Sequence, residues 1–306
     1  MRFFSAQDVH SALDFDRLAD AIAAMLVTAP VAPLRHAHAL SDSDSLLLMP
    51  AWSARALGVK LVTVMPGNRA ISRTTVNAIY VLFDRSSGAA RAVIDGEALT
   101  LRRTAATSLL AARYMARSDA RNALIIGTGT LAPYMAHAHA RGRRLTRLWI
   151  WGRRGEGAQT LAQRLRDEGL PAQAVEDLET AVRGADIISC ATTSTQPIVH
   201  GAWIAPGTHL DLVGGFRRGM READDEAVSR ARIVVDTYAG ALAEAADIVE
   251  PLERGVIQRD AIVAELAEIV VGRPGRTGAA EITLFKSVGT AVADLAAAQL
   301  LLEQSA

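Results

Sequence analysis

Short apolar segments alternate with helix-forming segments from residue 118 onward, and this alternation constrains the fold more than any other feature of the chain. Strands are predicted at 123–127, 147–152, 185–192, 209–214 and 232–237, and helices at 130–141, 155–168 and 222–230. Parallel neighbouring strands need a crossover connection, which is usually a helix. We therefore predict an α/β protein in which residues 118–279 form a Rossmann-type doubly wound parallel sheet.

The two ends of the chain follow a different pattern. The predicted elements are helices at 1–28 and 101–116, with Ser5 and Asp14 as candidate N-caps, and strands at 45–52, 57–66, 75–84 and 89–96. A turn at 85–88 joins the last two strands as a hairpin. An amphipathic helix at 287–302 is predicted to pack back on this part. The ends together predict a discontinuous α+β domain made of residues 1–117 and 280–306.

Composition and charge exclude several classes of partner. The 33 Lys and Arg residues balance the 33 Asp and Glu residues without a run of like charge, so nucleic acid and anionic membranes are not expected as partners. The lone Cys190 cannot form an internal disulfide and is expected to be a small buried apolar residue. Because the first residues lack a signal-peptide pattern and no apolar stretch reaches roughly 18 residues, we predict a cytoplasmic protein.

The basic residues are almost all arginine. Lys60 and Lys286 are the only lysines among the 33 basic residues. An arginine stays protonated, whereas a lysine is a compact amine that can titrate. A lysine kept in such a chain is therefore a candidate for chemistry, although two lysines could also remain by chance.

A glycine-rich loop follows the first strand of the parallel sheet. The strand 123–126 runs into Gly127, Thr128, Gly129, Thr130, Leu131 and Ala132, which match the G-x-G-x-x-A form of the dinucleotide-binding fingerprint. The first glycine allows the tight turn, and the second allows the backbone to approach a pyrophosphate at the helix N-terminus. The alternative is a glycine turn that binds no ligand.

The end of the second strand indicates which nucleotide is bound. An NAD site usually has an Asp or Glu there, but no acidic residue lies between Ala132 and Glu156. Arg153 and Arg154 occupy this place and can bind a 2′-phosphate. We predict that NADP(H) is preferred and that NAD(H) is possible, the alternative being two solvated loop arginines. Thr192, at the end of a later strand, is a candidate to line the cofactor crevice.

Three further segments carry a family resemblance. They are LGVKLV at 57–62, LTLRRTAA at 99–106 and FKSVG at 285–289. Together with the glycine loop, they make nearly the whole chain resemble the ornithine cyclodeaminase/μ-crystallin family. The resemblance implies a homodimer, a discontinuous substrate-binding and dimerisation domain, and a central NAD(P)-binding domain. It also implies small-molecule substrates that are amino acids or cyclic imines.

The resemblance assigns roles to individual residues. Arg35 and Arg103 would bind a substrate carboxylate, and Lys60 would lie beside the reacting carbon, where an ammonium can hold the carboxylate or move a proton. Val288 and Gly289 would lie by the nicotinamide. Lys286 is expected to have a scaffold role, and Arg35 and Arg103 could instead be a loop charge and a helix cap.

Two departures from the family pattern narrow the activity. Phe216 stands where cyclodeaminating members have an acidic residue, and a leucine stands where a second acid is expected before Met49 and Pro50. An apolar wall suits a cyclic imine such as pyrroline-2-carboxylate or piperideine-2-carboxylate. We predict an NAD(P)H-dependent imine reductase. An ornithine cyclodeaminase and a non-catalytic binding protein of μ-crystallin type are the alternatives, and the histidine spacing predicts no metal site.

Overall fold

A computed structural model describes residues 1–71 and 73–305. The chain divides into two compact units, one of Met1–Thr107 and Thr290–Ala306 and the other of Ser108–Gly289. The predicted boundaries at 117 and 280 are therefore displaced by several residues at each junction. The reason at the second junction is that Thr283–Lys286 is a strand of the parallel sheet, and this strand was missing from the prediction.

The strands form two sheets within the described residues. The first sheet contains β1 (Arg2–Phe4), β2 (His36–Ala39), β3 (Ser45–Trp52), β4 (Ala56–Val64), β5 (Val76–Asp84) and β6 (Ala90–Asp95). The second contains β7 (Asn122–Ile126), β8 (Arg147–Trp151), β9 (Ala172–Ala174), β10 (Ile187–Cys190), β11 (His209–Leu212), β12 (Arg232–Val235), β13 (Ile262–Glu265) and β14 (Thr283–Lys286).

The helices lie between and after these strands. They are α1 (Ala6–Ala12), α2 (Phe15–Val27), α3 (Gly96–Met115), α4 (Ala132–Ala140), α5 (Gly155–Asp167), α6 (Leu178–Gly184), α7 (Asp225–Ser229), α8 (Tyr238–Glu244), α9 (Ala246–Glu253), α10 (Leu266–Val270) and α11 (Ala291–Gln304). Short 3-10 helices cover Pro66–Ile71, Gly201–Trp203 and Arg259–Ala261. Within the described residues, none of the helices combines the length and the apolar composition that a membrane-spanning segment requires.

The second unit confirms the predicted parallel sheet. Its strand order is β13-β12-β14-β11-β10-β7-β8-β9, and every adjacent pair is parallel. The chain order reverses between β7 and β10, which is the point where ligands bind in open α/β sheets. The five predicted strands are present. The strands β9, β13 and β14, of three or four residues each, were not predicted.

The first unit confirms the predicted antiparallel sheet. The order is β1-β6-β5-β4-β3-β2, with antiparallel pairing except between β1 and β6. Ser5 and Asp14 cap α1 and α2 as predicted, but the predicted helix at 1–28 is wrong at its start, where Arg2–Phe4 forms β1. Helix α3 begins five residues before its predicted start because Asp95 Oδ1 accepts a hydrogen bond from the Ala98 N–H at 2.8 Å. The last helix, α11, packs on α2 and on β3, β4 and β5, also as predicted.

Lys60 lies in a row of cross-strand neighbours on one face of the first sheet. Met49 pairs with Lys60, Lys60 with Tyr80, and Tyr80 with Ile94, so these four side chains share the face covered by α11. Tyr80 is fully buried, and a Cβ on Gly58 would lie 2.2 Å from its hydroxyl oxygen. The glycine that precedes Val59 and Lys60 is therefore needed because the tyrosine ring occupies the space of a side chain.

A buried polar network supports two loops of the second unit. Lys286 Nζ lies 3.1 Å from Asp247 Oδ2 and donates to the Gly214 carbonyl, in the loop after β11. Asp247 Oδ1 accepts from the backbone N–H of Glu222 at 2.8 Å. Glu222 Oε1 in turn accepts from the backbone N–H and the hydroxyl of Thr192, at 2.7 and 2.9 Å. The loops after β10 and β11 are thus tied to the core of the sheet through interior charges.

This network predicts a pH-dependent component of stability. Burial raises the pKa of Glu222 from 4.5 to about 7, and the Lys286 charge opposes this only in part. Because the folded-state pKa lies above the unfolded value, the contribution is present below pH 4.5 and is lost as the pH rises through about 7. From pH 4.5 to about pH 7, the melting temperature of Glu222→Gln should therefore fall less than that of the wild type.

The control for this experiment is Glu253→Gln, which changes a half-exposed glutamate paired with Arg218. It should keep the wild-type pH dependence. Thermal melts at each pH measure all three proteins. The same pH dependence in Glu222→Gln and in the wild type would contradict the assignment.

Candidate active site

The glycine loop after β7 has the geometry of a dinucleotide-binding turn. Gly127 has a φ of +120°, and a Cβ there would lie 2.6 Å from the Ala191 carbonyl oxygen. A Cβ on Gly129 would meet no atom within 4 Å, so the space above the second glycine is open. Pro133 lies in the first turn of α4, and no side chain caps this helix N-terminus. The residues present therefore fit a bound pyrophosphate at the start of α4.

A cavity of about 580 Å³ lies beside this loop. Thr128, Gly129 and Thr130 line it, together with Arg154 and Glu156 from the segment after β8. Leu131, the last loop residue before α4, is half-buried. Arg153 and Arg154 are both exposed, but Arg154 lines the cavity and Arg153 does not.

The turn after β14 is held by a carboxylate that sequence reasoning missed. Asp236 Oδ2 accepts from the backbone N–H of Val288 at 2.9 Å and of Gly289 at 2.7 Å. It also accepts from the Ser287 hydroxyl at 3.0 Å. The signal in the sequence is the acidic residue that directly follows the apolar strand β12. Asp236 therefore fixes the turn that carries the two residues predicted to lie by the nicotinamide.

Lys60 is buried in the first unit beside one carboxylate. Its Nζ lies 2.8 Å from Oδ2 and 3.1 Å from Oδ1 of Asp294, and it donates to the Thr100 hydroxyl at 3.3 Å. Burial lowers the pKa of Lys60 to about 8, Asp294 opposes this effect, and the positive charges of Arg103 and Arg35 reinforce it. Lys60 is thus mainly protonated at neutral pH and close enough to its pKa to exchange a proton.

The same carboxylate holds Arg103. Arg103 lies on α3 and is 6% exposed, and its Nε donates to Asp294 Oδ1 at 3.0 Å. Arg35 directly precedes β2 and is half-buried. The structure therefore brings Lys60 and Arg103 together on Asp294, and the charge of Arg35 acts on the same lysine. Asp294 was not predicted, although it is the lone acidic residue in an otherwise apolar stretch of α11.

The two departures from the family pattern differ in their position. Phe216 lies in the loop after β11 with 43% of its surface exposed, so it is not part of the core. Its contact with a substrate stays a prediction. Leu47 pairs with Val62 and shares the sheet face of Lys60, whereas the next residue, Leu48, lies on the opposite face. Because side chains alternate along a strand, Leu47 is the leucine before Met49 that can form an apolar wall beside Lys60, and its contact with a substrate stays a prediction.

A second cluster has the residue types of a hydrolase site but not its accessibility. Asp211 accepts from Ser108 at 2.9 Å and from Ser189 at 2.8 Å, and it lies 2.9 Å from His139 Nε2. All four side chains are buried. Burial also raises the pKa of Cys190 well above its ordinary value. These groups stabilise the interior, and the described residues contain no group of three or more side chains that could hold a metal ion.

Comparison with known proteins connects this geometry to a family. The family model described as the ornithine cyclodeaminase/mu-crystallin family matches residues 2–306. A Delta(1)-pyrroline-2-carboxylate reductase of Paracoccus denitrificans is 37% identical over 273 residues, which are 88% of this chain and 86% of the relative.

Solved structures agree over the full length. The Delta(1)-pyrroline-2-carboxylate reductase of Thermococcus litoralis, in complex with NADH and L-proline, has a TM-score of 0.94 at 34% identity and covers 100% of this chain and 97% of its own. An archaeal alanine dehydrogenase dimer with bound NAD has a TM-score of 0.93 at 28% identity, covering 99% and 95%. The predicted resemblance is confirmed, and the chain belongs to the ornithine cyclodeaminase/mu-crystallin family.

Proposed function

We propose that this protein is an NAD(P)-dependent oxidoreductase that reduces cyclic imine carboxylates to cyclic amino acids. Pyrroline-2-carboxylate and piperideine-2-carboxylate are the substrates of this class. The observation that carries the proposal is an excess of buried positive charge: within the described residues, Lys60 and Arg103 pair with one carboxylate, that of Asp294. A substrate carboxylate would compensate the remaining charge.

The residues of the first unit have separate roles in this reaction. Arg103 binds the substrate carboxylate, and a planar guanidinium can do so through two parallel hydrogen bonds. Arg35 adds a second positive charge. The ammonium of Lys60, with its pKa of about 8, holds the carboxylate or supplies the proton that the imine nitrogen needs. A bound nicotinamide cofactor would supply the hydride.

The residues of the second unit hold the cofactor. The backbone of 127–131 binds the pyrophosphate, and Thr192, Val288 and Gly289 line the nicotinamide end. Glu222 and Asp236 keep the loop after β10 and the turn after β14 in place through the hydrogen bonds described above. A solved relative, the reductase of Thermococcus litoralis, was obtained in complex with NADH and L-proline, which supports the assignment of a cofactor-binding role to the second unit.

Phe216 distinguishes the reductase from an ornithine cyclodeaminase. A phenyl group cannot accept a proton from the departing amine or the incoming nucleophile. We therefore expect loss of nicotinamide absorbance with pyrroline-2-carboxylate and no comparable ammonia release from ornithine. Efficient release of ammonia and proline from ornithine would contradict the reductase, and the absence of both activities would support a binding protein.

The carboxylate-binding role predicts a change in KM. Arg103→Lys keeps the charge but loses the paired donors, so kcat/KM for the imine should fall about tenfold to about a hundredfold, mainly through KM. The matched control is Arg102→Lys on the same helix, because Arg102 donates to the His10 carbonyl oxygen. Steady-state kinetics measure both variants. An unchanged KM in Arg103→Lys would remove this arginine from carboxylate binding.

For the cofactor we propose a preference for NADP(H), with NAD(H) also accepted. Arg153 and Arg154 follow β8, where an NAD-specific site usually has a carboxylate. Arg154 lines the cavity beside the glycine loop, and Arg153 directly precedes it; both side chains are exposed. Glu156 lines the same cavity and would repel a 2′-phosphate, so the two arginines must outweigh its charge.

The cofactor proposal predicts a shift of nucleotide preference. Arg153→Ser and Arg154→Ser should each narrow the ratio of kcat/KM for NADPH over NADH, by about tenfold to about a hundredfold where a charge-assisted bond is lost. Arg183→Ser is the control, because Arg183 on α6 pairs with Glu179. Equal kcat/KM for the two nucleotides in the wild type would contradict the preference.

We propose in addition that the protein is a homodimer. The face of the first sheet opposite Lys60 carries apolar residues, among them Leu48, Val59, Leu61, Ile79 and Val81, and Ile79 is 45% exposed. A contiguous apolar sheet face of this kind marks a protein interface. One solved relative is a dimer.

The dimer predicts a sensitive position on this face. Leu61→Glu should convert the dimer to a monomer, because it places a charge in the apolar contact. Gln173→Glu on the exposed part of β9 is the control. Light scattering after size-exclusion chromatography measures the mass. A wild-type monomer, or a Leu61→Glu variant that stays dimeric, would contradict the use of this face.

A further inference from the structure

Asp294 is the acidic residue that pairs with both Lys60 and Arg103 in the first unit. It lies on α11 among alanines and leucines and has no exposed surface. Lys60 reaches it from β4 and Arg103 from α3, across 234 and 191 residues of sequence. We propose that Asp294 is a positioning residue: it orients the Arg103 guanidinium for end-on binding of a carboxylate and keeps Lys60 in the ammonium form. This inference deepens the proposed function and rests on it.

The first part of the argument concerns the guanidinium. A guanidinium can bind a carboxylate through its Nε edge or through the edge formed by its two Nη groups. In Arg103 the Nε donor is already occupied by Asp294 Oδ1, and within the described residues it is the one guanidinium nitrogen with a protein partner. The edge formed by the Nη groups remains for a ligand. Asp294 therefore selects one of the two binding edges and limits rotation of the side chain.

The second part concerns the charge of Lys60. The groups that face Lys60 are Asp294 on α11, Arg103 and Thr100 on α3, Tyr80 on β5, and the charge of Arg35 before β2. Asp294 is the one carboxylate among them. Burial and both arginines favour the neutral amine, so Asp294 is the charge that keeps the pKa of Lys60 near 8.

The lysine content of the chain makes a direct test possible. Protein labelled with ¹³Cε-lysine should show two signals, from Lys60 and Lys286. Lys60→Arg assigns them by removing one. Lys286 pairs with Asp247 and belongs to the other unit, so its signal is an internal reference. Titration then follows the ammonium of Lys60 without any enzymatic activity.

Two variants should move the Lys60 signal in opposite directions. Asp294→Asn removes the compensating charge, so the midpoint should fall by about 1 to 3 pH units. Arg103→Gln removes an opposing charge, so the midpoint should rise. The Lys286 signal should be unaffected by either substitution. An unchanged Lys60 midpoint in Asp294→Asn would overturn the proposal, and Asp294→Ser tests it in the same way if Asp294→Asn does not fold.

Kinetics separate this inference from the proposed function. In Asp294→Asn, the alkaline limb of the kcat/KM profile for pyrroline-2-carboxylate should move to lower pH, and KM should rise, while the Kd for NADPH stays unchanged. Asp211→Asn removes an equally buried carboxylate and should lower stability without moving the limb. If the Lys60 midpoint moves but the wild type reduces no imine, the proposed function fails alone. If the wild type reduces the imine but neither the midpoint nor the limb moves, the inference about Asp294 fails alone.

Discussion

Burial of charge is the constraint on which both units of this protein depend. Removing one partner of a buried ion pair typically costs about 3 to 5 kcal/mol, because the other charge is left without compensation. Lys60 depends on Asp294 in this way, and Lys286 depends on Asp247. Each pair joins elements that are distant in sequence. The position of α11 on the first sheet and the loop after β11 in the second unit are therefore tied to these interior charges.

The same use of interior carboxylates connects the fold to the proposed chemistry. In an open parallel sheet, ligands bind at the loops that follow the carboxyl ends of the strands. The binding crevice lies where the strand order reverses, which is between β7 and β10 here. Glu222 holds the loop after β10 and Asp236 holds the turn after β14, each through backbone N–H groups. In the first unit, Asp294 holds two cations. The protein thus uses these carboxylates to position other groups.

Much of the fold and part of the candidate site could be predicted from local patterns. The strand before the glycine loop and its neighbours in the sheet have continuous apolar runs, and Gly127 is needed because its φ is +120°. The short strands β9, β13 and β14 gave no comparable signal. Asp236 and Asp294 were missed because an acidic residue acquires its role only from the groups that surround it. Which of Leu47 and Leu48 shares a face with Lys60 followed only from the pairing of β3 with β4.

The sequence by itself determined the class of fold, the family and the unusual status of the two lysines, since these follow from periodicity and residue identity. The tertiary structure alone decided which charge compensates each lysine. Lys60 and Asp294 are 234 residues apart, and no local pattern encodes their distance of 2.8 Å. Contacts of this kind depend on how α11 packs against β4, and packing is a property of the whole unit. The charge and the binding edge offered to a substrate are set by that packing.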